Sequence, residues 1–118
     1  MIRVGHIEVF ARDPLGEARR FYEQVLGFEV VAVQGDNVWL KLGEVEVLLR
    51  PAVGEVVPAT AYDGARAGIV LYTADLPGEM ARLVARGLRF DGADGSDKCP
   101  TFRDPDGHWF QLVDPNDH

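Results

Sequence analysis

The sequence has few of the residues that build covalent cross-links and metal clusters. It contains one cysteine, Cys99, and three histidines. A lone cysteine cannot form a disulfide within the chain, and it is typical of a reducing compartment. No His-rich or Cys-rich spacing of the kind that holds a structural metal occurs. We therefore expect a cytoplasmic protein without a disulfide framework.

Long apolar runs and a secretory signal are also missing. No run approaches the roughly 18 apolar residues that a membrane span needs, and the opening MIRVGHIEVF predicts a first strand instead of a signal peptide. The formal charge of −7 repels nucleic acid and anionic membranes and favours cationic small molecules at long range. We expect a globular chain that binds neither nucleic acid nor membrane.

What the sequence does contain is an internal repeat. The stretch HIEVFARD, residues 6–13, returns as GIVLYTAD at residues 68–75, and a similar segment follows each copy until a glycine, Gly27 or Gly87. Each copy predicts a strand, a helix that ends at that glycine, and three short strands. The expected fold class is α+β, with two tandem βαβββ modules in one domain, 1–118. Module one covers about 1–54 and module two about 64–118.

The three strands after each helix have clear sequence candidates. In module one they are FEVVAV, VWLKL and VEVLLR, and in module two LRFD, CPTFR and HWFQLV. The last two are joined by DPDG, which suits a type I turn. Neither module is expected to be stable alone, because one sheet with one helix leaves a face unburied.

HIEVFARD followed by FYEQVLGFEV, together with FRDPDGHWFQLVDP near the C-terminus, resembles the vicinal oxygen chelate superfamily. This is also called the glyoxalase/bleomycin-resistance/dioxygenase fold, and the resemblance runs from about Val4 to Pro115. It implies a curled, cup-shaped mixed sheet with helices on its outer face and a site inside the cup. The fold hosts lyases, epimerases, thiol transferases, dioxygenases and drug-binding proteins, so it does not fix an activity.

The resemblance also implies where a metal would bind. In metal-using members, four positions on the first and last strands of the modules converge on a divalent ion. His6 matches the first position, Gly68 stands where a second histidine is usual, and Gln111 stands where a glutamate is usual. The fourth position falls on VEVLLR: aligning the two modules places Val47 there, whereas a one-residue bulge would present Glu46.

This donor set is poor for a catalytic ion. Such sites generally need at least three protein ligands and an open position. His6 is one good donor, Gln111 is a weak one and Gly68 supplies none, so we expect no metal cofactor and no catalytic residue. Two alternatives stay open. One is a metal-dependent lyase or isomerase resembling glyoxalase I (lactoylglutathione lyase), with zinc, nickel or manganese on His6, Glu46 and Gln111. The other is an interaction module without a ligand.

Strand alternation predicts which side chains line the cup. Residues two apart on a strand share a face, and the predicted ligand-binding set is His6, Glu8, Phe10, Trp39, Tyr72, Trp109 and Gln111. Aromatic rings stack on a flat ligand or surround a cation. Glu8 would counter the charge of a cation, unless it pairs with an arginine or faces solvent. Core packing is the alternative role for each ring, and His6 could be an inherited residue without a role.

The preferred interpretation is a homodimer that sequesters an aromatic or cationic, antibiotic-like molecule without metal. It resembles the bleomycin-resistance branch of the fold in length, acidity and missing ligands. Retention of His6 is a departure from that branch.

Overall fold

The computed structural model describes residues 1–55 and 57–118. Over these residues the chain is α+β, with one four-stranded and one three-stranded sheet. It divides into two compact units, Met1–Val56 and Val57–His118, and each unit holds one sheet. The predicted α+β class with tandem modules is confirmed. No described helix is long and apolar enough to cross a membrane.

The first unit is a four-stranded sheet with helical turns after its first strand. Its elements are β1 Ile7–Ala11, π-helical turns Pro14–Ala18 and Phe21–Val25, β2 Glu29–Gln34, β3 Asn37–Leu42 and β4 Val45–Pro51. The strand order is β1-β4-β3-β2, with β1 parallel to β4 and the other neighbours antiparallel. Asp13 caps the first helical turn by accepting a hydrogen bond from the Gly16 backbone at 3.1 Å. The turns end before Gly27, whose φ of +84° suits glycine.

One face of this sheet packs against the helical turns. Val9 of β1 and Leu49 of β4 are paired neighbours and both are buried. Tyr22 is fully buried in the same unit and meets Phe28 edge-on, with ring centroids 5.4 Å apart. Because side chains alternate along a strand, the residues beside Val9 and Leu49 point to the opposite face. That opposite face carries the polar and aromatic side chains of the first candidate site.

The second unit repeats the pattern with one strand fewer. Its elements are a 3-10 turn Tyr62–Gly64, β5 Gly68–Tyr72, α1 Leu76–Ala85, β6 Thr101–Arg103, β7 Trp109–Val113 and a 3-10 turn Pro115–Asp117. The strand order is β5-β7-β6, with β5 parallel to β7. Asp75 caps α1 by accepting a hydrogen bond from the Gly78 backbone, in the same way that Asp13 caps the first helical turn of the first unit. Phe102 and Phe110 stack at 5.0 Å in the core.

The strand predicted at LRFD is wrong. Residues 88–91 form no strand, although the chain beside them still bonds to β6. The Asp91 backbone donates to the Thr101 carbonyl at 2.8 Å, while the Thr101 backbone donates to the Gly92 carbonyl at 3.1 Å. Asp91 and Gly92 therefore both lie opposite Thr101, and Gly92 has a φ of +78°. This bulged arrangement prevents a regular ladder. The remaining predicted strands are confirmed, with ends that shift by a few residues.

The DPDG turn is organised by a buried carboxylate. The Gly107 backbone donates to the Asp104 carbonyl at 3.0 Å, which closes the turn between β6 and β7. The Asp104 side chain accepts two further backbone hydrogen bonds, from Asp106 and His108, both at 2.9 Å. Asp104 is one of two buried polar residues in the described chain. Its carboxylate therefore fixes where β7 begins.

Replacing Asp104 with alanine is expected to lower the free energy of unfolding by about 1–3 kcal/mol, because two backbone N–H groups lose their acceptor. Asp104→Asn keeps a side-chain oxygen and should recover part of the loss. Urea unfolding followed by circular dichroism measures the effect. Asp97→Ala is the matched control, since Asp97 is exposed in the neighbouring loop. Equal losses at the two positions would show that the turn does not depend on this carboxylate.

Candidate functional site

The strand register of the first unit decides which residue of VEVLLR shares a face with His6. In the β1–β4 pairing Ile7 is opposite Val47, and Val47 is buried at 4% exposure. Glu46 is exposed, and alternation places it on the same face as Arg50. Val47 is therefore on the other face of the sheet from Glu8, although the alignment of the modules placed it among the metal positions. The pairing of β4 is regular and shows no bulge, and Leu48 is the residue of β4 opposite Glu8.

Five side chains on this face contact one another in a continuous chain. They are called the first-module face: His6, Glu8, Phe10, Trp39 and Arg50. Arg50 donates from its Nη1 atom to Glu8 Oε1 at 2.8 Å. The Nε2 atom of His6 lies 2.8 Å from the other Glu8 oxygen. The Arg50 guanidinium lies 5.4 Å from the centre of the Phe10 ring, and the His6 ring meets Trp39 edge-on at 4.7 Å.

These contacts change the expected role of Glu8. The hydrogen bond from Arg50, followed by that from His6, holds the pKa of the Glu8 carboxyl below its ordinary value. Glu8 is thus ionised at neutral pH, and its charge is offset by the guanidinium beside it. The side chain is still 33% exposed. Glu8 therefore both pairs with an arginine and remains open to solvent, which were two of the possibilities that the sequence left open, and its part in binding a ligand stays a prediction.

Arg50 was not among the predicted site residues. Its position was visible, since it ends VEVLLR and lies two residues from Leu48. The missing information was that β4 runs beside β1, which places Arg50 opposite Phe10 in the ladder. That pairing joins residues 40 positions apart, which local patterns do not determine.

The two aromatic rings of the first-module face are held at partly open positions. Phe10 is 46% exposed with Arg50 against it, and Trp39 is half-buried. The indole of Trp39 donates to Gln34 Oε1 at 3.2 Å. The structure therefore brings His6, Glu8 and Phe10 together on one face, as alternation predicted. The pairing of Trp39 with Leu48 adds Trp39 to that face, which alternation along β1 did not decide. Their part in ligand binding stays a prediction.

The other predicted residues lie on one face of the second sheet. The β5–β7 register places Gly68 beside Trp109 and Val70 beside Gln111. Gly68, Tyr72, Trp109 and Gln111 are called the second-module face. Tyr72 is 74% exposed, whereas Trp109 is only 2% exposed. The two predicted aromatic residues therefore differ greatly in their access to a ligand.

Trp109 is covered by the segment that precedes β5. Its indole N–H donates to the Ala59 carbonyl at 2.8 Å. The Tyr62 ring meets the indole edge-on, with centroids 6.3 Å apart, and the Arg103 guanidinium lies 5.1 Å from it. In this arrangement no flat molecule can stack on Trp109 unless the covering segment moves.

Tyr62 fills the space that glycine leaves at position 68. A Cβ atom built on Gly68 would collide with the Tyr62 hydroxyl group. Gln111 donates from Nε2 to the same hydroxyl at 3.0 Å, and its Nε2 also lies 3.4 Å from Asp94 Oδ2. Tyr62 was not among the predicted site residues, and it lies in the connector between the two repeats. A lone aromatic residue there carries no periodic signal.

The residues present do not fit a divalent metal ion. In the described chain no group of three or more His, Cys, Asp or Glu side chains is placed to hold one. His6 is bonded to Glu8, and the space at Gly68 is taken by Tyr62. Gln111 presents an amide nitrogen, which is a donor and not a metal ligand, to its neighbours.

The remaining histidines lie elsewhere. His108 contacts Asp104 in the turn before β7, at 3.2 Å. His118 lies 3.6 Å from the sulfur of the buried Cys99. Neither contact joins the first-module face or the second-module face.

Several solved structures share this fold. An antibiotic-binding protein from a Streptomyces species is 25% identical, with a TM-score of 0.66, and the match covers 98% of this chain and 99% of that one. A lactoylglutathione lyase from Agrobacterium tumefaciens is 19% identical, with a TM-score of 0.68 and coverage of 96% and 93%. A fosfomycin resistance protein from Listeria monocytogenes is 14% identical, with a TM-score of 0.74 and coverage of 95% and 92%.

These three proteins have different functions, and the two with lower identity show the fold alone. The sequence also matches a family model, which is described as Glyoxalase/Bleomycin resistance protein/Dioxygenase superfamily and covers residues 3–112. Together with the two tandem modules, this match assigns the chain. It belongs to the glyoxalase/bleomycin resistance protein/dioxygenase superfamily.

Proposed function

We propose that this protein binds a small, flat aromatic molecule on the first-module face, without a metal ion and without catalysis. The observation that carries the proposal is the pair of partly open rings, Phe10 and Trp39, joined through Arg50, Glu8 and His6. The role would resemble antibiotic sequestration in the cytoplasm, by a homodimer. The Streptomyces protein, which is antibiotic-binding, supports an antibiotic-like ligand.

The polar contacts support binding because they fix the rings in advance. Arg50 holds Phe10 from one side, and Gln34 and His6 hold the indole of Trp39. A ligand that stacks on such rings loses less free energy to ordering of the protein. Each aromatic contact contributes about 0.5–1.5 kcal/mol beyond the burial of area. Together with burial, this is compatible with micromolar affinity, about −8 kcal/mol.

The charge of the ligand is decided by the pair of Glu8 and Arg50. A cationic ligand would need to take Glu8 from a guanidinium that already bonds it at 2.8 Å. A neutral aromatic ligand needs no such exchange. An aromatic ring is therefore the main requirement for the proposed ligand. A positive charge on the ligand adds affinity only if Arg50 moves away from Glu8.

Removing either ring is expected to weaken binding. In a fluorescence titration with neutral planar aromatics such as anthraquinones, we expect Phe10→Leu and Trp39→Leu each to raise Kd by about three- to tenfold, the equivalent of about 0.5–1.5 kcal/mol. Ligand binding to Phe10→Leu is measured by quenching of Trp39 fluorescence, and ligand binding to Trp39→Leu is measured by calorimetry. Tyr72→Leu is the matched control, because Tyr72 is an exposed ring on the other sheet. If only the Tyr72 variant lost affinity, the ligand site would not be on the first-module face.

Removing the guanidinium is expected to change the preferred charge. In Arg50→Gln the Glu8 carboxylate loses its main partner, so flat cations such as acridinium should gain affinity relative to neutral analogues of the same shape. The readout is the ratio of the two Kd values in wild type and variant. The double variant Arg50→Gln, Glu8→Gln is the control and should return the ratio toward that of the wild type. An unchanged ratio in Arg50→Gln would contradict the assigned role of the pair.

The absence of a metal cofactor is tested separately. Added Zn²⁺, Ni²⁺ or Mn²⁺ should raise Tm no more in the wild type than in His6→Ala, because an ion stabilises the fold only through sites that bind it. Elemental analysis of protein purified without added metal is the second measurement. Near-stoichiometric metal that disappears in His6→Ala would favour the lyase or isomerase instead.

A further inference from the structure

The segment before the second sheet holds a side chain in the position of a bound ligand. Residues 58–62 are called the strap. The Pro58 ring lies where a Cβ on Gly107 would be, and the Ala59 carbonyl accepts the Trp109 N–H. At the end of the strap, Tyr62 reaches the middle of the second-module face. The strap is thus held at both of its ends.

The contacts of Tyr62 recognise both parts of its phenol group. The hydroxyl accepts a hydrogen bond from Gln111 at 3.0 Å and occupies the space left open at Gly68. The ring packs against Trp109 at 88°, an edge-to-face geometry within the favourable centroid range. The hydroxylated ring of Tyr62 is therefore contacted in three ways. Gln111 donates a hydrogen bond to it, the space above Gly68 accommodates its hydroxyl, and Trp109 packs against the ring.

We propose that the second-module face is a binding site for hydroxylated aromatic molecules, and that Tyr62 is its tethered occupant, displaced when such a molecule binds. A free phenol would take the same hydrogen bond from Gln111 and the same wall from Trp109. The ligand class follows from what the face already holds. The site lies on a different sheet from the first-module face, so it goes beyond the proposed function and does not depend on it.

The strap has the features of a displaceable segment. Residues 58–61 form no helix or strand, and Tyr62 is only half-buried. A cavity of about 320 Å³ lies beside it, lined by residues 60–63, 91–95 and 101. Segments with few regular hydrogen bonds open at low cost in free energy. The cavity also offers room beside the Tyr62 ring.

The tether predicts a measurable competition. A side chain attached through a short segment acts at an effective concentration in the millimolar range. The apparent affinity of a free phenol for the wild-type protein is therefore the intrinsic affinity multiplied by the fraction of molecules in which the strap is open. Removing the Tyr62 ring should remove the competitor. It should also leave a gap whose shape fits 4-methylphenol, the side chain of tyrosine.

The experiment uses a Trp39→Phe background, so that Trp109 is the remaining tryptophan of the two in the chain. In this background the tryptophan fluorescence no longer contains a contribution from Trp39 of the first-module face. Trp109 fluorescence and Tm are followed during titration with 4-methylphenol and with toluene. Tyr62→Ala is compared with its parent chain. Tyr62→Ala, Gln111→Leu tests the hydrogen bond.

We expect 4-methylphenol to bind Tyr62→Ala about tenfold or more tightly than the parent, because the tethered competitor is gone. Toluene should bind clearly more weakly than 4-methylphenol, and Gln111→Leu should abolish that difference. Equal binding of the two compounds to Tyr62→Ala, or no gain over the parent, would overturn the proposal.

A second variant covers the case in which Tyr62→Ala does not fold. Tyr62→Phe keeps the ring and loses only the hydroxyl, so the strap should be held more weakly and 4-methylphenol should bind several-fold more tightly than in the parent. Leu15→Ala, a truncation of an exposed side chain in the first unit, is the matched control and should leave the titration unchanged. Identical affinities in Tyr62→Phe and its parent would also overturn the proposal.

Discussion

The Tyr62 hydroxyl occupies the space that any side chain at position 68 would need. The contacts on the second-module face depend on the absence of a side chain there. Because Gly68 has no Cβ, the Tyr62 phenol can lie against the sheet and accept the hydrogen bond from Gln111. The same phenol covers Trp109, whose indole is also bonded to the backbone of the strap. The position where the superfamily resemblance implies a metal ligand is therefore part of a neutral, aromatic contact.

In the first module the central contact is an ion pair, between Glu8 and Arg50. Glu8 projects from a strand on a face that also carries two aromatic rings, and its partly exposed carboxylate is ion-paired there. Arg50 and His6 provide the pairing, and Arg50 at the same time packs on Phe10. One guanidinium therefore satisfies the carboxylate and positions a ring. This coupling is why the proposed ligand is defined by its flat shape before its charge.

Local patterns were sufficient for much of the fold. The repeat located both modules, and the glycines at 27 and 87 marked the helix ends because both adopt a positive φ. The pattern failed at LRFD, where a bulge at Gly92 replaces regular pairing. It also placed Val47 on the wrong face, since the repeat alignment carries no information on a one-residue shift. Such a shift reverses every side chain on a strand.

The sequence by itself determined the tandem α+β modules, the family, and the grouping of His6, Glu8 and Phe10, because these follow from period-two alternation and from motifs within a short stretch. Only the tertiary structure decided what those residues contact. Arg50 meets Glu8 across 42 positions, and Tyr62 meets Gln111 across 49. Contacts of that range depend on which strands lie side by side and on the path of a connector. Neither property leaves a periodic trace in the chain.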